Sequence, residues 1–237
     1  MIRIVCTSED EPELRRMLGE IEPIEPPESG FYLCFEKDLL ELRRTGDALG
    51  ISISAQEIDQ RLAGPFMLGR ACGLPGAGLR VLDAMGGLGV DALALARAGA
   101  AVQVVERHPM LWALLKDLIR RTGANVSAAL GDCADLLRDG ADYDVIYLDP
   151  MFPDRRKKAL PGKRMQYLGA LLADAAPFDP GLISLAQQCA RSRVVLKRRL
   201  KDPVPIKPDW TLRGSSVRYD VFLGRRAGPA QPSRRTA

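Results

Sequence analysis

The sequence has few residues that could hold a metal ion. Its 237 residues include one histidine, His108, and five cysteines that are widely spaced and form no CxxC pair. Zinc and similar metals are held by Cys and His ligands at short, recurring spacings. We therefore expect no metal site and five reduced, unpaired thiols, as in a cytosolic protein.

Long apolar segments are also missing. Nowhere do 18 apolar residues follow one another, as a membrane-spanning helix would require. The first residues, MIRIVCTSEDEPE, lack the basic flank and the long apolar segment of a signal peptide. These absences predict a cytoplasmic protein with no membrane partner.

The net charge of +4 conceals a gradient along the chain. Residues 1–60 carry 6 Lys and Arg against 14 Asp and Glu, and residues 61–150 carry 9 against 10. Residues 151–237 carry 19 against 6. A final third this basic, in a chain that is otherwise acidic or neutral, favours a nucleic acid as partner over a surface that only keeps the protein in solution.

The first part of the chain predicts a small unit of its own. Residues 2–6 and 31–35 have the pattern of strands, and a helix starts between them. Prolines at three positions predict a loop over residues 20–30. We expect residues 1–60 to form a small, acidic α+β appendage.

The rest of the chain predicts an α/β fold. From residue 79 onward, apolar strand patterns alternate with helical patterns such as VDALALARAG and PMLWALLKDLIRRTG. This alternation indicates βαβ units and a mainly parallel central sheet within a domain spanning residues 61–224. Residues 225–237, RRAGPAQPSRRTA, are expected to form a disordered basic tail.

A glycine-rich turn and a later acid predict a nucleoside-containing cofactor. Gly87 and Gly89 lie between a strand and a helix, and Glu106 ends the next strand, where a carboxylate can accept hydrogen bonds from both hydroxyls of a ribose. Packing alone could also explain such a turn. Asp91 disfavours a dinucleotide pyrophosphate at this helix start. Together with Asp83, which ends the preceding strand, it suits the ammonium and sulfonium of S-adenosylmethionine.

Two further strand ends carry candidate site residues. Asp132, with Cys133 beside it, could meet an adenine amine or could cap the following helix. Asp149 begins DPMF, which resembles the (D/N)PP(Y/F) element of methyltransferases that act on exocyclic amines of bases. There Asp149 and the Pro150 carbonyl would accept the amine hydrogens, and Phe152 would stack on the base. A strand stopped by proline is the simpler alternative.

Taken together, five segments resemble the ribosomal RNA small subunit methyltransferase J family. They are LDAMGGLGVDAL, VVERHP, VIYLDPMFPDRRKKAL, VVLKR and RYDVFLG, in this order and spacing. The resemblance implies a Rossmann-like class I methyltransferase fold, S-adenosyl-L-methionine as cofactor, and methylation of the N2 amine of a guanine in 16S rRNA. The cofactor contacts implied by the family are Val90, Asp91, Glu106, Arg107, Asp132, Cys133 and Asp149. Val90 stands where family members usually have Arg.

The positive charges that follow DPMF predict contacts with RNA phosphates. We expect a mobile basic lid, or alternatively a helix with a solvated basic face, at this point of the chain. His108, beside Glu106, is expected to lie at the surface or beside the cofactor rather than to act as a base. The predicted RNA-binding residues are Arg155, Arg156, Lys157, Lys158, Lys163, Arg164, Lys197 and Arg198.

Other functions stay open on the sequence alone. An element like DPMF also serves methyltransferases for DNA adenine, other RNA bases and protein amides. A catalytically silent nucleic-acid binder could keep the same fold.

Overall fold

The computed structural model describes residues 1–75, 78–140, 142–151, 162–204 and 206–224. Its N-terminal part contains a four-stranded sheet and helix α1 (Glu11–Leu18). The strands are β1 (Ile2–Val5), β2 (Ile21–Pro23), β3 (Phe31–Glu36) and β4 (Leu39–Arg44), in the spatial order β2-β1-β3-β4.

The second sheet has seven strands and is mainly parallel. Only its last two strands along the chain run antiparallel to their neighbours. The strands are β5 (Arg80–Asp83), β6 (Ala101–Glu106), β7 (Val126–Leu130), β8 (Tyr143–Leu148), β9 (Ala190–Arg199), β10 (Trp210–Arg213) and β11 (Val217–Leu223), in the order β10-β11-β9-β8-β5-β6-β7.

The structure describes seven further helices. They are α2 (Ala55–Leu62), α3 (Met67–Cys72), α4 (Val90–Arg97), α5 (Pro109–Thr122), α6 (Cys133–Arg138), α7 (Lys163–Leu171) and α8 (Gly181–Cys189). Buried residues of α2, α3 and α4 pack on one face of the sheet, and those of α6 and α8 pack in a second cluster with β5, β8 and β9. This is the predicted Rossmann-like α/β architecture, with helices on both faces.

Helix α5 belongs to both sheets. Proline at its first position and a left-handed glycine after its last residue fix its ends. Leu111 and Leu114 pack in the core of the N-terminal sheet, whereas Leu115 and Leu118 pack under the seven-stranded sheet. The two sheets are therefore joined through one helix rather than through a linker.

Asp117 on α5 strengthens this junction. It is fully buried, and its carboxylate accepts the backbone N–H of Leu40 at 3.3 Å. Arg120 and Arg121 pair with the same carboxylate at 2.8 and 2.6 Å. A buried charge is tolerated when it is paired and hydrogen-bonded in this way.

The N-terminal part differs from its prediction in two respects. The segment at residues 20–30, predicted to be a loop, contains strand β2, which pairs parallel to β1. Pro23 is compatible with this because it lies on an edge strand, where a missing N–H costs little. Helix α2 crosses the end of the predicted appendage at residue 60, and Ile53 and Ile58 pack in the core of the seven-stranded sheet.

Several elements were not predicted at all: β4, β10, α2, α3 and α8. The predicted tail at residues 225–237 lies outside the described residues. No described helix is long and apolar enough to cross a membrane. All five cysteines are free thiols. In the part of the chain that the structure describes, no group of three or more His, Cys, Asp or Glu residues is placed to hold a metal ion.

Candidate active site

Three acidic residues meet at the carboxyl edge of the seven-stranded sheet. Asp83 ends β5, Glu106 ends β6 and Asp149 directly follows β8. Strand β5 lies between the other two, and the chain leaves it toward β6 on one side and later returns to β8 on the other. In open α/β sheets, ligands bind in the crevice at such a reversal. The structure thus brings three predicted site residues to one crevice.

Glu106 is held in place by the backbone around it. It is 7% exposed, and its two carboxylate oxygens accept the N–H groups of Gly87 and His108, each at 2.7 Å. Burial raises the pKa of Glu106, and these two hydrogen bonds oppose the rise. Each oxygen keeps a further acceptor position. The carboxylate is therefore oriented by the protein and can still accept a hydroxyl.

The glycine turn leaves space beside this carboxylate. Gly87 has a φ of +51°, and a Cβ built there would meet nothing nearer than the Met85 carbonyl oxygen at 4.0 Å. Gly89 is needed for a different reason. It has a φ of +82° and caps α4, and a Cβ there would lie 2.3 Å from Leu115 Cδ1. One glycine opens the crevice, and the other lets α4 approach α5.

A cluster of alternating charges lies on the other side of the crevice. The Lys197 ammonium donates to Asp91 Oδ2 and to Asp149 Oδ2, both at 2.8 Å. Arg61 Nε donates to Asp91 Oδ1 at 2.8 Å, and the Tyr147 hydroxyl donates to Asp91 Oδ2 at 2.7 Å. The side chains of Asp91, Lys197 and Asp149 are 13%, 19% and 28% exposed.

The pairing of the strands explains how this cluster forms. Parallel β8 and β9 are in register, so that the residues at their carboxyl ends, Asp149 and Lys197, lie side by side. Tyr219 on β11 pairs directly with Lys197, and its hydroxyl accepts Arg61 Nη2 at 2.8 Å. Cross-strand partners project to the same face of a sheet. Arg61 reaches the cluster from α2, outside the sheet.

The electrostatics of the cluster favour a cationic ligand. Burial raises the pKa of Asp149, which Lys197 opposes, and burial together with Asp91 raises the pKa of Asp83 well above its ordinary value. Asp91 differs because Lys197 and Arg61 outweigh its burial and lower its pKa. Burial disfavours the charged form of Lys197, but its two carboxylate partners raise its pKa. Three acids share two cations, and this suits the positive charge of S-adenosylmethionine better than a pyrophosphate.

Other predicted cofactor residues surround the crevice with less direct contacts. Val90 begins α4 and packs against the core, and Arg107 is exposed after β6. Asp132 caps α6 by accepting the Ala134 N–H at 2.8 Å, which agrees with the capping alternative. Cys133 is buried, and burial is the main cause that raises the pKa of its thiol to about 11. Their contact with the cofactor stays a prediction.

The surroundings of His108 do not favour a role as a general base. Its Nδ1 atom is buried and has no hydrogen-bond partner among the described residues. Burial lowers its pKa, and the neighbouring Arg107 adds to this effect. A neutral imidazole beside Glu106 is consistent with the prediction that it flanks the cofactor.

The four predicted RNA-binding residues that the structure describes do not form one surface. Lys197 lies inside the charge cluster, and Arg198 is half-buried, with no partner for its Nε among the described residues. Lys163 and Arg164 begin helix α7, which at these two positions agrees with the helical alternative rather than with the mobile lid. Lys163 contacts the Leu49 carbonyl, and Arg164 pairs with Glu57 at 3.0 Å, so both are attached to the chain between β4 and α2 or to α2 itself. Phe152, Arg155, Arg156, Lys157 and Lys158 lie outside the described residues.

Three residues of the cluster were missed in the sequence: Arg61, Tyr147 and Tyr219. Tyr147 stands two positions before Asp149, and alternate residues of a strand share a face, so this signal was present. Tyr219 required the antiparallel register of β11 with β9. Nothing near Arg61 in the sequence indicates that α2 turns it toward Asp91.

Comparisons with known proteins agree with this geometry. Residues 20–224 match the family described as "Putative SAM-dependent methyltransferase". The Ribosomal RNA small subunit methyltransferase J of Pseudomonas aeruginosa (strain UCBPP-PA14) is 42% identical over 176 residues, which cover 68% of this chain and 67% of that protein. The protein of the same name from Neisseria meningitidis serogroup C (strain 053442) is 34% identical over 218 residues, covering 84% of this chain and 86% of its own.

A solved structure is similar over nearly the whole chain. The crystal structure of a SAM-dependent methyltransferase from Neisseria gonorrhoeae superposes with a TM-score of 0.76 at 28% sequence identity. The match covers 96% of this chain and 98% of the other. It therefore includes the N-terminal sheet as well as the seven-stranded sheet.

Proposed function

Since this chain belongs to the ribosomal RNA small subunit methyltransferase J family of S-adenosylmethionine-dependent enzymes, we propose that it methylates the exocyclic N2 amine of a guanine in 16S rRNA. The observation that carries this proposal is the position of Asp149. Asp149 directly follows β8 and precedes Pro150, at the same carboxyl edge of the sheet as Glu106.

Asp149 suits a reaction at a conjugated amine. Such a nitrogen is a poor nucleophile, so the site must orient it and accept its hydrogens as positive charge develops. The Lys197 ammonium donates to Asp149 Oδ2 at 2.8 Å and so orients the carboxylate. Oδ1 and the Pro150 carbonyl are the proposed acceptors for the two amine hydrogens. No strong base is needed, because the amine proton becomes far more acidic once the nitrogen is methylated.

The residues around the crevice fit S-adenosylmethionine. When bound, this cofactor supplies an electrophilic methyl group. Glu106 is proposed to hold the ribose hydroxyls through its remaining acceptor positions, and the open space at Gly87 allows close approach to the backbone. Asp83 and Asp91 are proposed to favour the positive charges of the cofactor. Gly89, Val90, Arg107, Asp132 and Cys133 complete the proposed cofactor-binding set.

The RNA is proposed to bind along the basic final third of the chain. Arg155, Arg156, Lys157 and Lys158 follow Asp149 closely in the sequence and are the proposed phosphate contacts. Phe152 is the proposed stacking surface for the base. Helix α7 follows these residues. Its Lys163 and Arg164 contact Leu49 and Glu57, so the chain before residue 60 holds the end of the proposed RNA-binding segment.

The surroundings of the enzyme follow from its substrate. We propose ribosomal RNA or the small ribosomal subunit as its partner and the cytoplasm as its location. The predicted division into residues 1–60, 61–224 and 225–237 stays a proposal. The shared packing of α5 and the burial of Ile53 and Ile58 favour a close association of the first two parts.

A methyl-transfer assay tests the reaction and its target. Purified protein would be incubated with methyl-labelled S-adenosylmethionine and with 16S rRNA or small subunits from a strain that lacks it. Digestion to nucleosides and mass spectrometry should show N2-methylguanosine. A different methylated nucleoside would refute the guanine assignment. Labelling of DNA or protein alone would refute the RNA substrate, and cofactor binding without transfer to any of them would indicate a silent binder.

Salt dependence tests the proposed phosphate contacts. If about four phosphates are bound, the slope of log affinity against log salt should be about −3. Replacing Arg155, Arg156, Lys157 and Lys158 by alanine should flatten this slope and leave cofactor affinity unchanged. The matched control is Arg138→Ala, whose exposed guanidinium pairs with Asp135 and which should keep the slope. An unchanged slope in the quadruple variant would show that this charge run is only a solvated surface.

A further inference from the structure

The Lys197 ammonium joins two acids that serve opposite ends of the proposed reaction. Asp91 begins α4 beside the glycine turn, on the cofactor side, and Asp149 follows β8, on the substrate side. Both Nζ–O distances are 2.8 Å, and the lysine side chain is 19% exposed. An ammonium shared by two carboxylates at this burial is poorly placed to bind an RNA phosphate.

We propose that Lys197 is a positioning residue that keeps Asp149 ionised and fixes its Oδ2, so that Oδ1 is presented to the substrate amine. This inference rests on the proposed function and replaces the phosphate-binding role predicted for Lys197. An ionised carboxylate accepts hydrogen bonds at both oxygens, whereas a protonated one has a donor at one of them. A protonated Asp149 would therefore present the wrong group to an amine.

The groups around Asp149 show why a cation is needed there. Asp91 on α4 is a like charge that opposes its ionisation, and Asp149 in turn raises the pKa of Asp83 on β5. Burial opposes it as well, while Lys197 is the cation in contact with it. Arg61 on α2 is bonded to Asp91 and to Tyr219 rather than to Asp149. The Tyr147 hydroxyl, which is neutral at physiological pH, also lowers the pKa of Asp149 through a hydrogen bond, but it brings no positive charge.

The strand position of Lys197 lets one side chain reach both acids. It extends from β9, whose register with β8 fixes its origin beside Asp149, and its flexible stem allows one ammonium to reach both acids. The backbone sets the position, and the ion pairs set the orientation. Loss of the ammonium would leave two buried carboxylates without their common partner.

The direct test is a titration of Asp149 in the cofactor-free protein by carbon-13 NMR of aspartate carboxyl groups. Asp149→Asn identifies the resonance by its loss. In Lys197→Met, the Asp149 midpoint should rise by about one pH unit or more, a tenfold change in proton affinity. The control is Lys201→Met, an exposed lysine in the turn after β9, which should leave the midpoint unchanged. An unchanged midpoint in folded Lys197→Met would overturn the proposal.

A second measurement does not depend on the folding of Lys197→Met. In the otherwise native protein, the nitrogen-15 resonance of Lys197 Nζ should shift when Asp149 is replaced by the isosteric asparagine. No shift would show that the two groups are not in contact in solution and would overturn the proposal.

Kinetics then separate positioning from RNA binding. The acidic limb of the pH profile for single-turnover methyl transfer should move upward in Lys197→Met and stay in place in Lys197→Arg. RNA affinity and its salt slope should be unchanged in both variants. A weaker salt slope with an unchanged pH profile would mean that Lys197 is a phosphate contact. Failure of the wild-type protein to methylate RNA would refute the proposed function alone, because both NMR measurements are made without cofactor or substrate.

Discussion

The two sheets place their acidic residues in opposite ways. In the N-terminal sheet, Glu22, Glu36 and Glu41 have side chains that are 22% to 52% exposed, and each forms an ion pair with a nearby Lys or Arg. At the carboxyl edge of the seven-stranded sheet, Asp83 and Glu106 are 2% and 7% exposed. Within residues 1–75, all of which the structure describes, no charged residue is buried.

The number of acids is therefore a poor guide to the active site. Residues 1–60 contain 14 Asp and Glu against 6 Lys and Arg, more acid than any other part of the chain. Burying an unpaired carboxylate costs on the order of 1 to 3 kcal/mol or more. Proteins therefore bury one only when hydrogen-bond partners or a function compensate. The position of an acid at the carboxyl edge of the sheet, rather than the local number of acids, indicates the candidate site.

The largest effect that tests this contrast between the two sheets is expected for Asp149→Ala. Loss of one oriented acceptor at the reacting group should lower the methyl-transfer rate by two to three orders of magnitude, or about 3 to 4 kcal/mol. Binding of RNA and cofactor should change much less. The matched variant in the N-terminal sheet, Glu41→Ala, should transfer methyl groups at the wild-type rate. Rapid transfer by folded Asp149→Ala would refute the proposed role of this residue.

The glycine turn offers a second contrast between the two parts. Gly89→Ala combines a positive φ of +82° with a Cβ 2.3 Å from Leu115 Cδ1. We expect it to lower the free energy of unfolding by about 2 to 4 kcal/mol. Gly46→Ala near the N-terminal sheet has a similar φ of +87° but nothing within 4 Å, and should cost about 1 to 2 kcal/mol. Urea denaturation of both variants measures the difference. Equal losses would show that the close approach of α5 does not require Gly89.

Much of the site could be predicted because it follows directly from strand ends. Asp83, Glu106 and Asp149 each close an apolar run, and parallel strands align their carboxyl ends at one edge. The comparisons with known proteins confirmed the family resemblance, the α/β fold and the cofactor class. The partners of these acids were harder to predict. In the sequence, Lys197 is the first of three consecutive basic residues. Only the register of β8 and β9 shows that it lies beside Asp149.

The N-terminal part was harder to predict for a related reason. Strand β2 has three residues and ends in Pro23, and its pairing with β1 is decided by tertiary contacts rather than by local preference. Arg61 depends on the packing of α2 against α4, which no local pattern reveals. Residues 1–60 look separate in composition, yet they share α5 with the other sheet.

Glu106→Gln gives a smaller effect on cofactor binding. The amide keeps the shape of the side chain and can still accept one hydrogen bond, but it loses the charge and one acceptor. S-adenosylmethionine should bind more weakly by about 1.5 to 3 kcal/mol, measured by calorimetry. Glu41→Gln, the same change in the N-terminal sheet, should not affect binding. Wild-type affinity in a Glu106→Gln protein of unchanged stability would remove the ribose assignment.

The smallest predicted effect concerns stability and pH. Burial and Asp91 raise the pKa of Asp83, so the folded state binds a proton more tightly than the unfolded state does. The favourable contribution of Asp83 is complete below its unfolded pKa of about 3.9 and is lost as pH rises through its higher folded pKa.

Asp83→Asn removes this loss, and its side-chain oxygen can still accept the Met85 N–H, which Asp83 Oδ1 accepts at 3.2 Å. Relative to wild type, the variant should become progressively more stable as the pH rises from 4.5 to 7.5. Chemical denaturation at several pH values measures this change. Any constant cost of burying the amide cancels, because only the change with pH is compared.

Glu28→Gln, at an exposed acid in the N-terminal part, should give a difference that does not vary with pH. A pH-independent difference for Asp83→Asn as well would show that the acids at the sheet edge are as well solvated as those of the N-terminal sheet, and the contrast between the two sheets would fail.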